Sequence, residues 1–196
     1  MAYPARVSGG EEDDRTPRLS GQAVLDSRWA FQRVIGEEAF ARALASLPSA
    51  LRQEYLAVTP LTWVPYDVMR DVHDAFGLEA GEPVETLLER VIPLAMERSF
   101  STVWRVFMRM TSDAALIQRT PLVYRRSRNR GTMTARLVAP GEGEVVLTDW
   151  ASIPPRDVHA LGISIATFVR LSGRKDVTIE GEKTPSGGRW RVRWRA

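Results

Sequence analysis

From Arg189 to Arg195 the chain alternates without interruption, with Arg189, Arg191, Arg193 and Arg195 on one parity and Trp190, Val192 and Trp194 on the other. Successive side chains of a strand point to opposite faces, so this pattern demands a strand with one cationic and one aromatic face. Upstream, Asp-Val-Thr-Ile-Glu-Gly-Glu (176–182) alternates in the complementary sense, and Lys-Thr-Pro-Ser-Gly-Gly between the two runs is turn chemistry. Folding the hairpin with Glu182 opposite Arg189 sets Glu180 against Arg191 and Asp176 against Arg195. Ile179 then meets Val192, Val177 meets Trp194, Gly181 lies beneath the bulk of Trp190, and Arg193 faces only Thr178. Register, charge and volume agree.

Two further signals build the sheet. After Gly131 the hydrophobic period becomes two, and Thr132–Val138 and Val145–Trp150 flank the turn sequence Ala-Pro-Gly-Glu-Gly. Pro154-Pro155 opens a helix to Leu171, with Val158, Leu161, Ile165 and Phe168 on the face that packs across the sheet. Before Gly131 the periodicity is helical. Helices are expected over 27–35, 37–47 and 49–58, then from Pro65 to Phe76 with Gly77 as a stop. Others follow over 83–99, 102–110, 113–118 and 121–128. Leu61-Thr-Trp-Val-Pro65 reads as a stiff connector, and Pro93 as a kink. Residues 1–20 carry Glu11-Glu-Asp-Asp14 and no periodicity, which gives a disordered leader and no signal peptide. The expectation is a single α+β domain over 21–196, with a helical part (21–130) and a four-stranded antiparallel sheet part (131–196).

The 196 residues include no cysteine, so disulfides, thiolate catalysis and cysteine-ligated metals are excluded, in keeping with a reducing cytoplasm. No apolar run reaches the length of a membrane helix. The net charge of +3 is concentrated locally, in Arg125, Arg126, Arg128 and Arg130 and in the terminal arginine row.

Several stretches together resemble a known group. They are Gly21-Gln-Ala-Val-Leu-Asp-Ser with Ile35-Gly-Glu-Glu-Ala39, Leu61-Thr-Trp-Val-Pro65, Pro121-Leu-Val-Tyr124 ahead of Gly131, and the terminal Gly-Gly-x-Trp-x-Val-x-Trp of 187–194. The chain resembles small myxobacterial proteins of unknown function that are distant relatives of vinyl-reductase-type ligand-binding domains, haem–nitric-oxide-binding domains and TRAPP trafficking subunits. That resemblance implies the same α+β fold with an apolar cavity between sheet and helices. It also exposes departures. Relatives often carry a cysteine where Gly188 stands here. Haem-binding relatives use a mid-chain helix histidine and a Tyr-x-Ser-x-Arg clamp. Here Tyr124-Arg-Arg-Ser-Arg128 has its serine one place out, and residues 83–118 contain no histidine. The resemblance therefore implies the fold without the haem, and no cofactor is expected.

The remaining chemistry is sparse. His73 and His159 lack the i, i+4 pairing of a helical zinc site, and read as surface histidines. Gly162-Ile-Ser-Ile-Ala166 puts Ser164 inside a helix rather than on a nucleophile elbow. The glycines fall in hairpin turns and cradle no phosphate. Arg125, Arg126, Arg128 and Arg130 could clamp an anionic partner or nucleic acid, or could be a solvated helix end complementing the dipole. Trp104, Met108, Trp150, Phe168, Trp190 and Trp194 are the candidates for an apolar cavity wall, with core filling as the plain alternative. The favoured reading is a cytoplasmic, non-enzymatic regulatory or scaffold module binding an apolar small molecule or a protein partner, with a homodimer open. Its rivals are an anionic-partner binder and a hydrolase using His159.

Overall fold

The computed structural model describes residues 16–100, 106 and 108–195. Two layers of helices and a sheet are built in chain order. A short strand β1 (Arg18–Ser20) leads into α1 (Gly21–Ile35), α2 (Glu37–Ser46) and α3 (Ser49–Leu56). Strand β2 (Trp63–Pro65) precedes α4 (Tyr66–Ala80), α5 (Val84–Ser99) and α6 (Asp113–Ser127). Then come β3 (Thr132–Ala139), β4 (Glu142–Thr148), α7 (Pro155–Leu171), β5 (Lys175–Thr184) and β6 (Gly187–Arg195).

The sheet is four-stranded and antiparallel, ordered β3-β4-β6-β5. The expected pairs Glu182–Arg189, Glu180–Arg191, Ile179–Val192 and Gly181–Trp190 are all present. Two details differ. Pairing continues through Lys183–Gly188 and Thr184–Gly187, so the turn is only Pro185-Ser186. The register also shifts between Lys175 and Thr178, where Asp176 adopts a left-handed φ of 50°, so Lys175 rather than Asp176 lies opposite Arg195. Asp176 still reaches the Arg195 guanidinium, at 2.9 Å.

Because β6 lies inside the sheet, its arginines draw acids from both neighbours. Arg191 and Arg193 meet Glu142 of β4 at 3.1 and 3.5 Å, and Arg193 also meets Glu180 of β5 at 3.2 Å. Arg193 is thus doubly paired, contrary to the hairpin-only expectation. Arg189 approaches Glu144 at 3.9 Å, and Arg136 of β3 closes the row on the same carboxylate at 2.7 Å. The opposite face is dry: Trp190, Val192 and Trp194 are buried together with Met133, Val145 and Leu147.

The helical boundaries move for physical reasons. Ser20 caps α1 by accepting from the Ala23 amide, so the helix begins at Gly21, six residues before the expected start at Ser27, and β1 pairs with β2. Residues 18–20 and the supposed connector at 63–65 therefore form a small sheet. Gly77 does not stop α4. A side chain there would meet Val84 Cβ at 3.2 Å, so the glycine admits the start of α5, and the left-handed Gly81 (φ 70°) ends the helix. α6 runs through Pro121 as one helix, with Leu116, Ile117, Thr120 and Tyr124 buried along one face across the proline.

The interior divides into two apolar clusters. One joins α1 to α5, with Phe31, Tyr55, Phe76 and Leu87 at its centre. The other joins α6 and α7 to the sheet. α7 belongs to both, for Ala160 and Ile163 pack on the first cluster while Leu161, Ile165 and Phe168 enter the second. It is buried nearly all round, as a central helix must be.

Candidate functional site

A cavity of about 350 Å3 opens at the seam between the two clusters. α1, α4, α5, α6, α7 and β3 each contribute to its wall. The wall is predominantly apolar: Val24, Met69, Leu88, Ile92, Ala95 and Met96 come from the helical side. Leu161, Ile165, Phe168 and Met133 come from α7 and the sheet. Gln22, Ser99, Leu122 and Arg126 are exposed wall residues, so the opening lies where the first turn of α1 and the last turn of α5 face α6.

Two polar groups are set into this wall. At the α1–α5 side, Asp26 is only 2% exposed, yet three donors answer it. Arg98 lies 3.1 Å from Oδ1, Gln22 Nε2 donates at 3.1 Å to Oδ2, and the Ser99 hydroxyl donates to the same oxygen. The Arg98 guanidinium rests in turn on the Trp29 ring, 4.9 Å from its centroid.

At the other side, Arg128 Nε donates to the Tyr66 hydroxyl at 2.7 Å and Nη1 to Ser127 Oγ at 2.8 Å, with the guanidinium 5.5 Å from the Tyr124 ring centroid. The Tyr124 hydroxyl donates to the Arg130 carbonyl. Burial pushes Tyr66 up to about 12 against the pull of Arg128, and pushes Tyr124 up as well. Asp157, in the first turn of α7, is raised by burial although Arg128, Arg70 and Arg156 all oppose the shift. Its Oδ2 has no hydrogen-bond partner, nor do Thr120 Oγ1 and His73 Nε2 in the same wall.

His73 is not a surface residue. Its ring packs 5.0 Å from that of Phe31, and burial with the nearby Arg156 cation pushes it down to about 4, so the imidazole is neutral. His159 is exposed and pairs with Glu89 at 3.2 Å, and Ser164 donates to the Ala160 carbonyl of its own helix at 2.9 Å. No group of three or more metal-ligating side chains occurs among the described residues.

Of the residues expected to line a cavity, Phe168 does so. Met108, Trp150, Trp190 and Trp194 instead fill the sheet-side core, and Trp104 lies outside the described residues. The arginine cluster also divides. Arg125 and Arg126 stand exposed on the last turn of α6, Arg128 turns inward to Tyr66, and Arg130 offers its carbonyl to Tyr124. Sequence periodicity marks none of Asp26, Tyr66, Thr120 and Asp157 as partners, because they sit on four different helices.

The sequence matches no protein-family profile and no curated protein. The fold does have solved counterparts. An H-NOX variant from T. tengcongensis superposes with a TM-score of 0.67 at 14% identity, covering 90% of this chain and 98% of that one. An oxygen-binding H-NOX domain related to soluble guanylate cyclases gives 0.65 at 12%, covering 90% and 95%. The Fe(II) unliganded H-NOX protein from K. algicida gives 0.65 at 9%, covering 90% and 97%. At such identities the likeness establishes the fold: this chain is built on the H-NOX-like α+β architecture.

Proposed function

We propose that this chain is a non-enzymatic small-molecule-binding module whose ligand occupies the cavity between the helical layer and the sheet. The observation that carries this reading is the cavity itself, a largely apolar chamber of about 350 Å3 with a few convergent polar groups. Its size falls in the usual range for ligand sites. The H-NOX-like fold supports a sensor or regulatory role, in which occupancy is passed to a protein partner. The same reading keeps the chain in the cytoplasm and with the myxobacterial group its C-terminal signature resembles. Among the described residues no helix is long and apolar enough to cross a membrane.

Haem, named for H-NOX proteins, does not fit the residues present. The one histidine in the cavity wall, His73, has its Nε2 covered by packed neighbours, leaving no approach for iron at that atom. The hydroxyl of Tyr124 and two donor nitrogens of Arg128 are already engaged within the chain.

The anionic-partner rival rests on Arg125, Arg126, Arg128 and Arg130, of which Arg125 and Arg126 stand exposed on the last turn of α6 while Arg128 is engaged by Tyr66 and Ser127.

The deciding experiment is native mass spectrometry of the purified chain. A bound small organic molecule, released on denaturation, is expected, and added hemin should give no saturable Soret band. A protein free of small molecules that also ignores apolar fluorescent probes would sink this reading.

A further inference from the structure

Two half-buried charges of the cavity wall have no ion pair among the described residues: Arg128 at the end of α6 and Asp157 in the first turn of α7. Asp26, by contrast, has Arg98 at 3.1 Å. Arg128 gives Nε to Tyr66 and Nη1 to Ser127, but among the described residues its Nη2 makes no hydrogen bond, and packing does not cover it. Asp157 makes no side-chain hydrogen bond among them either; its Oδ2 is covered and its Oδ1 is not. The two groups share one region of the wall. Arg128 acts on the Asp157 carboxyl, and both act on the Tyr66 hydroxyl: beyond the burial that raises it, Arg128 lowers it and Asp157 raises it. Opposite charges that lie near each other without contact, in a largely apolar chamber, leave room for a group that answers both. From this point α7 continues as an apolar track. Asp157, Leu161, Ile165 and Phe168 are spaced four, four and three residues apart, so they share one helix face, and all four line the cavity. At 1.5 Å per residue the track is about 16 Å long.

Resting on the cavity as the ligand site, we propose that the ligand is an amphiphile with a dipolar head of the α-amino-acid kind. Its carboxylate turns to Arg128 and its ammonium to Asp157, and its apolar chain lies along Leu161, Ile165 and Phe168 of α7. The head carries no net charge, but it carries both signs, one for each unanswered group.

The test is competition against Nile red, a neutral apolar dye, on the full chain near pH 7, where free carboxylates and amines are both charged. The competitors are 2-aminodecanoate, decanoate, decylamine and 1-decanol, equal in chain length, with both charges, one, the other, or none. 2-Aminodecanoate is expected to displace the dye at a concentration about tenfold lower than any of the other three. Asp157→Asn, which keeps the size of the side chain, should raise the 2-aminodecanoate midpoint about tenfold and should not raise that of decanoate. Arg128→Gln should raise the midpoints of 2-aminodecanoate and decanoate alike and should not raise that of decylamine. Loss of packing would weaken all four competitors together, so the crossed pattern separates a contact from a structural role. The comparison of the four heads is made on the wild-type chain, and it stands whatever the variants do to folding. Decanoate, decylamine or 1-decanol competing as well as 2-aminodecanoate would overturn the dipolar head while leaving the cavity reading intact. Folded variants that shift all four midpoints equally, or none, would overturn the assignment of the two halves to Arg128 and Asp157. A dye that does not bind, or that none of the four displaces, would overturn the proposal together with the site on which it rests.

Discussion

Trp190 is 1% exposed, and its indole donates to the Val158 carbonyl at 3.0 Å, tying β6 to the start of α7. A Cβ at Gly181 would lie 2.5 Å from its ring and one at Gly188 2.6 Å, so two strands are thinned to admit it. Trp190→Ala should therefore cost about 3–5 kcal/mol in a denaturant melt, the usual range for emptying a buried aromatic site. Gly188→Ala should cost about 1–3 kcal/mol through overpacking. Arg193→Ala, despite its two carboxylates, should cost no more than about 1 kcal/mol, because the pairs are solvated. An Arg193 variant as damaging as Trp190→Ala would place the energetic weight on the wrong face of the sheet. This face assignment was legible in the alternation of residues 189–195, and so was the slot at Gly181. The bulge at Asp176 was not, because an aspartate at positive φ carries no mark that distinguishes it from one in a regular strand.

The joint between α1 and α5 depends on a buried acid, Asp26, set among donors from both helices. Asp26→Ala removes the shared acceptor of Ser99, Gln22 and Arg98, all of which are exposed and can return to water. Its cost should accordingly stay at about 1–3 kcal/mol, below that of removing a fully enclosed ion pair. Chemical denaturation of Asp26→Ala beside Arg98→Ala checks this, the arginine variant being the more damaging if its charge leaves Asp26 unanswered. Local rules read helix existence well and helix ends poorly. Pro121 looks like a break, yet burial of Leu116, Ile117, Thr120 and Tyr124 on both sides of it outweighs the roughly 3 kcal/mol that an interior proline costs. Gly77 looks like a stop for the same local reason, and only the approach of Val84 explains it.

For the molecule as a whole, protonation and volume follow from the seam between the two clusters. His73 has an ordinary value of 6.5 and is pushed down to about 4 in the folded chain, so the unfolded chain binds more protons between those values. Stability from this group is fully present above about pH 6.5 and is lost as pH falls towards 4, by up to about 3 kcal/mol. Asp157 works in the opposite sense, its raised carboxyl favouring the folded chain as acid is added. The His73 contribution is therefore read as the difference in pH slope between wild type and His73→Gln, and equal slopes would refute it. The cavity wall was the least legible part of the sequence. Bulky tryptophans look like wall material, but they fill the sheet core, and the wall is assembled from single residues on helices far apart in the chain. Without a ligand, the cavity at that seam would also make the fold compressible. Unfolding lets solvent into the space, so the unfolded chain and its water together occupy less volume than the folded protein beside its water. Hydrostatic pressure should consequently denature this protein more readily than a solidly packed domain of equal size, and a bound ligand should harden it.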